Sequence, residues 1–434
     1  MAWFLAGVCI FTTWAALSFL PPLHPASLWT LVWTIATVLF ALHLLPYAPL
    51  STATVLVIIG ALVSFAAGSI VGRGLAAGPQ VRRRVEDWSD TDRRVLSRAA
   101  RWTMIVGGVL LVYFLAQVAA SFGVGAVLRS SPNVRVAIQH GFASLSIKYI
   151  WFAIPVAALA ALMAAIATDR RSRRRWALLA LGAVVSGYFS TGRATPLLIG
   201  VVATISYLAG PGAFSPRRLL GAALGLFVFG LAIFLIGGAL LGKTFENAPI
   251  SSARSPLTTK RVLTPLALPY EYATAPIAAL NNEVRHTPAV GHKYGCATAA
   301  PVCSALRAAG VSVTPEPEIR EFTPVPFLWN TYTGLDRPLM DGGFVLLGPI
   351  LFLLGCLSGL VFAWAQRGYL LGVLLYGVVA SCIVFSTGSN NFFAPHIAGS
   401  MIWIATVIAA ARAMEGRPQS RPTAQAVPRA SMAE

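Results

Sequence analysis

The densest collection of chemically capable side chains in this chain is Pro326-Phe327-Leu328-Trp329-Asn330-Thr331-Tyr332-Thr333-Gly334-Leu335-Asp336-Arg337-Pro338-Leu339-Met340-Asp341-Gly342-Gly343-Phe344. Aromatic faces stack on sugar rings, while amide, carboxylate and guanidinium groups bond sugar hydroxyls, so this mixture suits a glycan held at a membrane surface. Its plainer explanation is an aromatic belt followed by a turn back into a membrane helix. A second group comprises Arg193 in Ser190-Thr191-Gly192-Arg193, Arg135 with His140, and Asn390, Asn391 and His396. A guanidinium fork bonds two phosphate oxygens at once, which makes this group a candidate anion site, although Arg193 is also placed to be a snorkelling anchor at a helix end.

Other chemistries find less support. The six histidines are scattered and no Cys-x-x-Cys occurs, so no metal is expected. Cys296 and Cys303 are close enough in sequence to close a short loop by a disulfide, with two free thiols as the lesser alternative. No carboxylate falls well inside an apolar stretch, which disfavours transport coupled to protons or cations.

The elements that must position these residues are membrane helices. The chain has 434 residues, of which 56% are hydrophobic and only 11% charged, and its mean hydropathy is +0.71. One soluble core of this size is far more polar, so the solvent is a bilayer. Apolar windows predict spans near 1–20, 27–45, 53–77, 102–121, 148–168, 176–190, 195–212, 219–241, 342–365, 369–388 and 394–413. The expected fold is an all-α polytopic integral membrane protein of about eleven transmembrane helices over 1–413, its first span retained.

The net charge of +18 belongs to short loops and does not signal nucleic acid. Arginines crowd loops 78–101 and 169–175, and with Arg73, Arg217, Arg218, Arg367 and the tail arginines they place twenty cations on one side against Arg129, Arg135, Lys148 and Arg193 on the other. The positive-inside rule then puts the amino terminus outside and the carboxyl terminus in the cytoplasm. One large external loop, 242–340, is inserted between spans 8 and 9, and with Asp341 at its edge it holds eight of the 15 acidic residues. Within it, 269–280 reads as a short helix lying in the interface. The Pro-, Ala- and Ser-rich tail 414–434 reads as disordered.

The late loop resembles the bacterial oligosaccharide repeat-unit polymerases, the O-antigen and capsule polymerase family. Asn330-Thr331-Tyr332-Thr333 matches the family's Asn-x-Tyr-Thr element. Asp341-Gly342-Gly343 followed by Leu347-Gly348 is similar to its Asp-Phe-Gly and Leu-Gly elements, with Gly342 in place of the aromatic. Thr191-Gly192-Arg193-Ala194-Thr195-Pro196-Leu197-Leu198 resembles its small-residue-plus-Arg turn. These motifs cover about thirty residues, beside the shared plan of many spans and a late external loop.

The resemblance implies a metal- and cofactor-independent glycosyltransferase in the bacterial cytoplasmic membrane. It would move a growing glycan from undecaprenyl pyrophosphate to the next lipid-linked repeat unit on the outer face. Arg193, with Arg320 or Arg337, would neutralise the departing pyrophosphate, and Glu271, Asp336, Asp341 and His286 are the candidate bases. Asn330, Tyr332, Arg135 and His396 are expected at the bound substrate. Membrane lipid, a flippase and chain-length regulator proteins are the expected partners. Two rival readings stand: an O-antigen ligase using the same donor, and a polysaccharide or lipid transporter.

Overall fold

A computed structural model describes residues 1–76, 88–125, 134, 137, 142, 145–190, 194–209, 216–237, 264–286, 295–314, 322–325, 327–389, 391–392 and 394–415. It is built of helices: α1 (Ala2–Phe19), α2 (Pro25–Ala41), α3 (Thr52–Leu75), α4 (Asp90–Phe122), α5 (Ile150–Ile166), α6 (Arg170–Ser186), α7 (Ala194–Ala209), α8 (Pro216–Ala232), α9 (Thr264–His286), α10 (Ala300–Ala308), α11 (Asp336–Gln366), α12 (Leu370–Val384) and α13 (Pro395–Glu415). Two short strands, β1 (Thr323–Pro324) and β2 (Leu328–Trp329), pair antiparallel before α11. Seven helical stretches are long and apolar enough to cross a bilayer: α1, α3, α4, Ser146–Ile166, Arg217–Leu235, α11 and α13. Helices α2, α7 and α12 are apolar but shorter, and α6 opens with five arginines in six residues. Seven of the eleven expected spans overlap these long apolar stretches; 27–45, 195–212 and 369–388 overlap the shorter apolar helices, and 176–190 overlaps α6.

Several helix starts are written locally. Ser51 accepts the Thr54 N–H, Ser89 that of Asp92 and Asp169 that of Ser172, each side chain satisfying an orphan donor of the first turn. These caps correct the sequence reading of the two arginine-rich loops. Arg93, Arg94, Arg98 and Arg101 lie on α4, and Arg170 to Arg175 on α6, as helical extensions of the spans. Arginine is a good helix former, so a capped helix runs on beyond its apolar stretch.

Packing defines two ends. In a bilayer, lipid tails remove the hydrophobic drive between helices, and association rests on close van der Waals approach. Helices α3 and α11 achieve it through Gly68-x-x-x-Gly72 facing Gly355-x-x-x-Gly359: a Cβ on any of these four would overlap the backbone of Phe352, Cys356, Phe65 or Ser69 on the other helix. The order of these contacts makes the two helices parallel. Helix α4 runs against α13, since Arg94 and Arg98 at its start bind Glu415 at the end of α13 at 3.1 and 2.9 Å. Arg73, Arg94, Arg98, Arg170 to Arg175, Arg217, Arg218, Arg367 and Arg412 therefore share one end of the bundle. The turns before α3, α5 and α11 share the other, here called the motif end. Large side chains such as Phe4, Phe11, Val109, Val112, Leu224 and Phe227 remain exposed along the helices, the surface that a membrane protein turns to lipid.

Within the interval 242–340, the described residues include a long helix. Helix α9 runs through Pro269 and Pro276 for 23 residues and is buried against α2 and α3, where a shorter interfacial helix was expected. Its polar stripe explains the difference. Tyr270 Oη donates to the Leu39 carbonyl and accepts from Leu44 N–H, Tyr47 Oη lies 2.9 Å from Thr274 Oγ1, and Asn281 Oδ1 accepts from Ser51 N–H and Thr54 Oγ1. The α2–α3 connection supplies partners that a membrane surface does not. The tail beyond Glu415 lies outside the described residues.

Candidate functional site

The motif end is assembled from the late loop, α9 and the tips of α2, α3, α11 and α12. The β1–β2 hairpin sets Phe327 and Trp329 into a run of rings. Tyr47 packs on Phe40 and on Phe327, Trp329 on Phe327 and Tyr272, and Tyr272 on Phe234, with centroids 5.0 to 6.4 Å apart. Asn282 Nδ2 donates to Thr323 Oγ1 at 2.6 Å and ties the hairpin to α9. The aromatics of the motif are thus mostly consumed in packing: Phe327, Trp329 and Tyr332 are buried, while Asn330 and Thr331 remain partly exposed.

After the hairpin the chain turns tightly into α11. Gly334 N–H donates to the Ser386 carbonyl at the end of α12 (2.6 Å), and Thr333 Oγ1 accepts from Leu335 N–H. Helix α11 then begins with Asp336, Arg337 and Asp341, all buried. Between this outer segment and the membrane portion stands Gly343 at φ 56°, ψ −152°, a conformation open to glycine and strained for any other residue. Asp341 grips the segment preceding α10: Oδ1 accepts N–H bonds from Gly295 (3.0 Å) and Ala297 (2.9 Å), and Oδ2 from Thr298 (2.5 Å). Arg337 Nη1 donates to the Ala297 carbonyl at 3.2 Å. Cys296 and Cys303 form a disulfide with Cα atoms 5.5 Å apart, so this segment is closed into a loop.

Glu271 reaches the same end from α9 and is only 1% exposed. It faces Tyr47, whose phenol is held well above its ordinary range by burial first and then by the Glu271 and Tyr270 neighbours, the Thr274 hydrogen bond opposing them. Buried carboxylates are costly unless paired or hydrogen-bonded, and groups of them mark functional sites more often than cores. Asp336, Arg337 and Asp341 on one helical segment, with Glu271 from α9, therefore form the candidate centre.

Other residues singled out in the sequence are less central. His286 ends α9 and is exposed, its Nδ1 2.7 Å from the Asn282 carbonyl. His396 stands half-buried in the first turn of α13, also at the motif end, its carbonyl accepting from Ser400 Oγ. Arg193, Arg135, Arg320, His140 and Asn390 lie outside the described residues. Tyr47, Asn281 and the Ser386 carbonyl were missed in the sequence, because each acts through a partner distant in the chain and none sits in a motif. Among the described residues no group of three or more His, Cys, Asp or Glu is arranged to hold a metal. Comparison with protein-family models, with curated proteins and with solved structures yields no match for this chain.

Proposed function

We propose that this chain is a membrane glycosyltransferase that polymerises undecaprenyl-pyrophosphate-linked oligosaccharide repeat units on the outer face of the bacterial cytoplasmic membrane. The observation that carries the reading is the packing of the motif on α9, Trp329 against Tyr272 beside the buried Glu271, at the end of the bundle opposite the arginines. Under the positive-inside rule the arginine end faces the cytoplasm, so the motif end faces outward. Eleven crossings fit this arrangement, with α2, α6, α7 and α12 spanning alongside the seven long apolar stretches.

In the proposed reaction the acceptor sugar's hydroxyl oxygen attacks the anomeric carbon of the donor glycan. The new C–O bond forms as the bond to pyrophosphate breaks, and undecaprenyl pyrophosphate leaves with the electron pair. Asp336 or Glu271 takes the hydroxyl proton, a role for which Asp341, already accepting three N–H bonds, is less suited. Arg337, together with Arg193 or Arg320, offsets the charge that grows on the leaving group. Asn330 and Tyr332 bind the sugar, and Arg135 and His396 the carrier's headgroup. The lipid carrier already activates the sugar, so these side chains supply the whole of the chemistry asked of the protein.

The test is gel analysis of lipid-linked glycans in cells lacking the protein, with and without a plasmid-borne copy. A ladder that collapses to single repeat units on deletion and returns on complementation establishes the polymerase. Long chains stranded on the carrier identify a ligase, and unchanged glycans discard the reading.

A further inference from the structure

We propose that the disulfide-closed loop 295–303 is a redox-sensitive brace for Arg337, with Asp341 as the positioning residue that couples the two. This rests on the reading of the motif end as an outward-facing polymerising centre.

The geometry turns on a joint. Gly343 breaks the helical path of α11, so the membrane portion beyond it does not dictate the orientation of Asp336–Gly342. Something beside that segment must hold it, and the loop does so at two points one helical turn apart. At one, Asp341 accepts N–H bonds from Gly295, Ala297 and Thr298. At the other, Arg337 donates to the carbonyl of Ala297 itself. Residues i and i+4 share a helix face, so both contacts load the same side of the segment.

Within the loop, the Ala299 N–H bonds the Gly295 carbonyl and the Cys303 N–H that of Ala299, and the crosslink closes the turn. The loop starts at Gly295, whose φ is +91°, and leads into α10, a short helix that exposes Val302 and Leu306. The Cys296–Cys303 bond is the one covalent restraint on this turn. A crosslink of this kind removes alternative conformations of the chain it closes. With the bond open, three N–H donors need not converge on one carboxylate, and the Ala297 carbonyl is released with them. Cys296 and Cys303 are both buried, Cys303 in the first turn of α10, so the crosslink ties the turn to that helix.

Disulfides persist in oxidising compartments and not in the cytoplasm. On the outward-facing reading the centre is therefore complete only after this loop has left the reducing side. Reduction follows ordinary thiol exchange: a dithiol reductant gives up two electrons and ends as its own disulfide, while Cys296 and Cys303 each take a proton and become thiols.

The full-length protein in proteoliposomes is treated with dithiothreitol, and three quantities are read: maleimide incorporation, amide hydrogen exchange, and polymer formed from lipid-linked repeat units. Reduction should add two maleimides and raise exchange in 295–303 and 336–342 at least tenfold, with α3 and the membrane part of α11 unchanged. Polymer yield should fall at least tenfold and return on reoxidation. The Cys296→Ser/Cys303→Ser variant should show the same low yield with no further response to dithiothreitol. Asp341→Asn, which leaves one acceptor oxygen where three donors converge, should reproduce the exchange pattern with the disulfide intact. Two labelled cysteines with unchanged exchange in 336–342 overturn the brace, whatever the yield. Exchange needs no turnover, so a rise in exchange without polymer from any form, untreated protein included, upholds the brace and discards the polymerase reading.

Discussion

Two single residues make the sharpest demands on measurement. His24 caps α2, with Nδ1 accepting the Ala26 N–H, and it meets the edge of Phe362 at 5.1 Å while wholly buried. Burial first, and the Arg73 charge second, hold its imidazole down to about 4. The unfolded chain binds that proton near pH 6.5, so the stabilisation is complete above 6.5 and is lost as pH falls from 6.5 towards 4, by at most about 3 kcal/mol. His24→Asn keeps a capping side chain and removes the titration. Its melting temperature in detergent should therefore change less between pH 7 and 4.5 than that of the parent; parallel curves would rule out His24 as the titrating group. At the motif end, Arg337→Ala should reduce polymer yield about 100-fold or more, the scale of losing one electrostatic donor to a developing charge. Arg193→Ala should do the same, on the strength of its motif alone. Both proteins should still insert at normal levels, and unchanged polymer length in the two variants would end the proposed arginine role.

Between elements, the crossing of α3 and α11 is the contact least tolerant of added volume. A side chain at Gly355 runs into the Phe65 backbone carbonyl, which has no rotamer with which to yield. Gly355→Val should separate the helices at a cost of about 3 kcal/mol or more, read as loss of monodisperse protein after detergent extraction. Gly182 on α6 is the control, because nothing lies within 4 Å of the Cβ it lacks. Gly182→Leu should melt at or slightly above the parental temperature, since leucine is the better helix former. A similar loss in both variants would show that glycine content and not the crossing is at issue. This contrast also marks what the sequence reveals. Hydropathy locates the apolar stretches. The pattern does not say that Gly68 and Gly72 meet Gly355 and Gly359, because pairing across so long a separation is a tertiary fact. The starts of α4 and α6 were read too late because arginine resembles loop to a hydropathy window. Helix α9 was read too short because Pro269 and Pro276 resemble breaks, whereas burial against α2 and α3 carries the helix through them. At the site, Asp336, Arg337 and Asp341 were legible because they sit in one motif; the loop that Asp341 grips was not, as nothing in its composition names a partner 43 to 46 residues away.

The molecule as a whole is two-sided. The arginine end and the motif end lie at opposite poles, and Glu415 holds the last helix to Arg94 and Arg98 at the former. If positive charge faces the cytoplasm, the buried carboxylates, the disulfide and Lys148 all face outward, the side on which the proposed donor is displayed. The free cysteines among the described residues, Cys9, Cys356 and Cys382, lie within helices and two are buried, so one introduced cysteine at a time reports its own position. Lys148→Cys should react with a membrane-impermeant maleimide on intact cells, whereas Arg170→Cys, also exposed, should react only after permeabilisation. Reversed labelling would turn the motif end to the reducing cytoplasm. The disulfide would then be unsupported by its compartment, and a donor displayed on the outer leaflet could not reach Asp336 and Glu271. The same pair of variants therefore decides the orientation and the setting of the loop, and tests whether the proposed donor can reach the motif end, because each depends on which pole meets the outside.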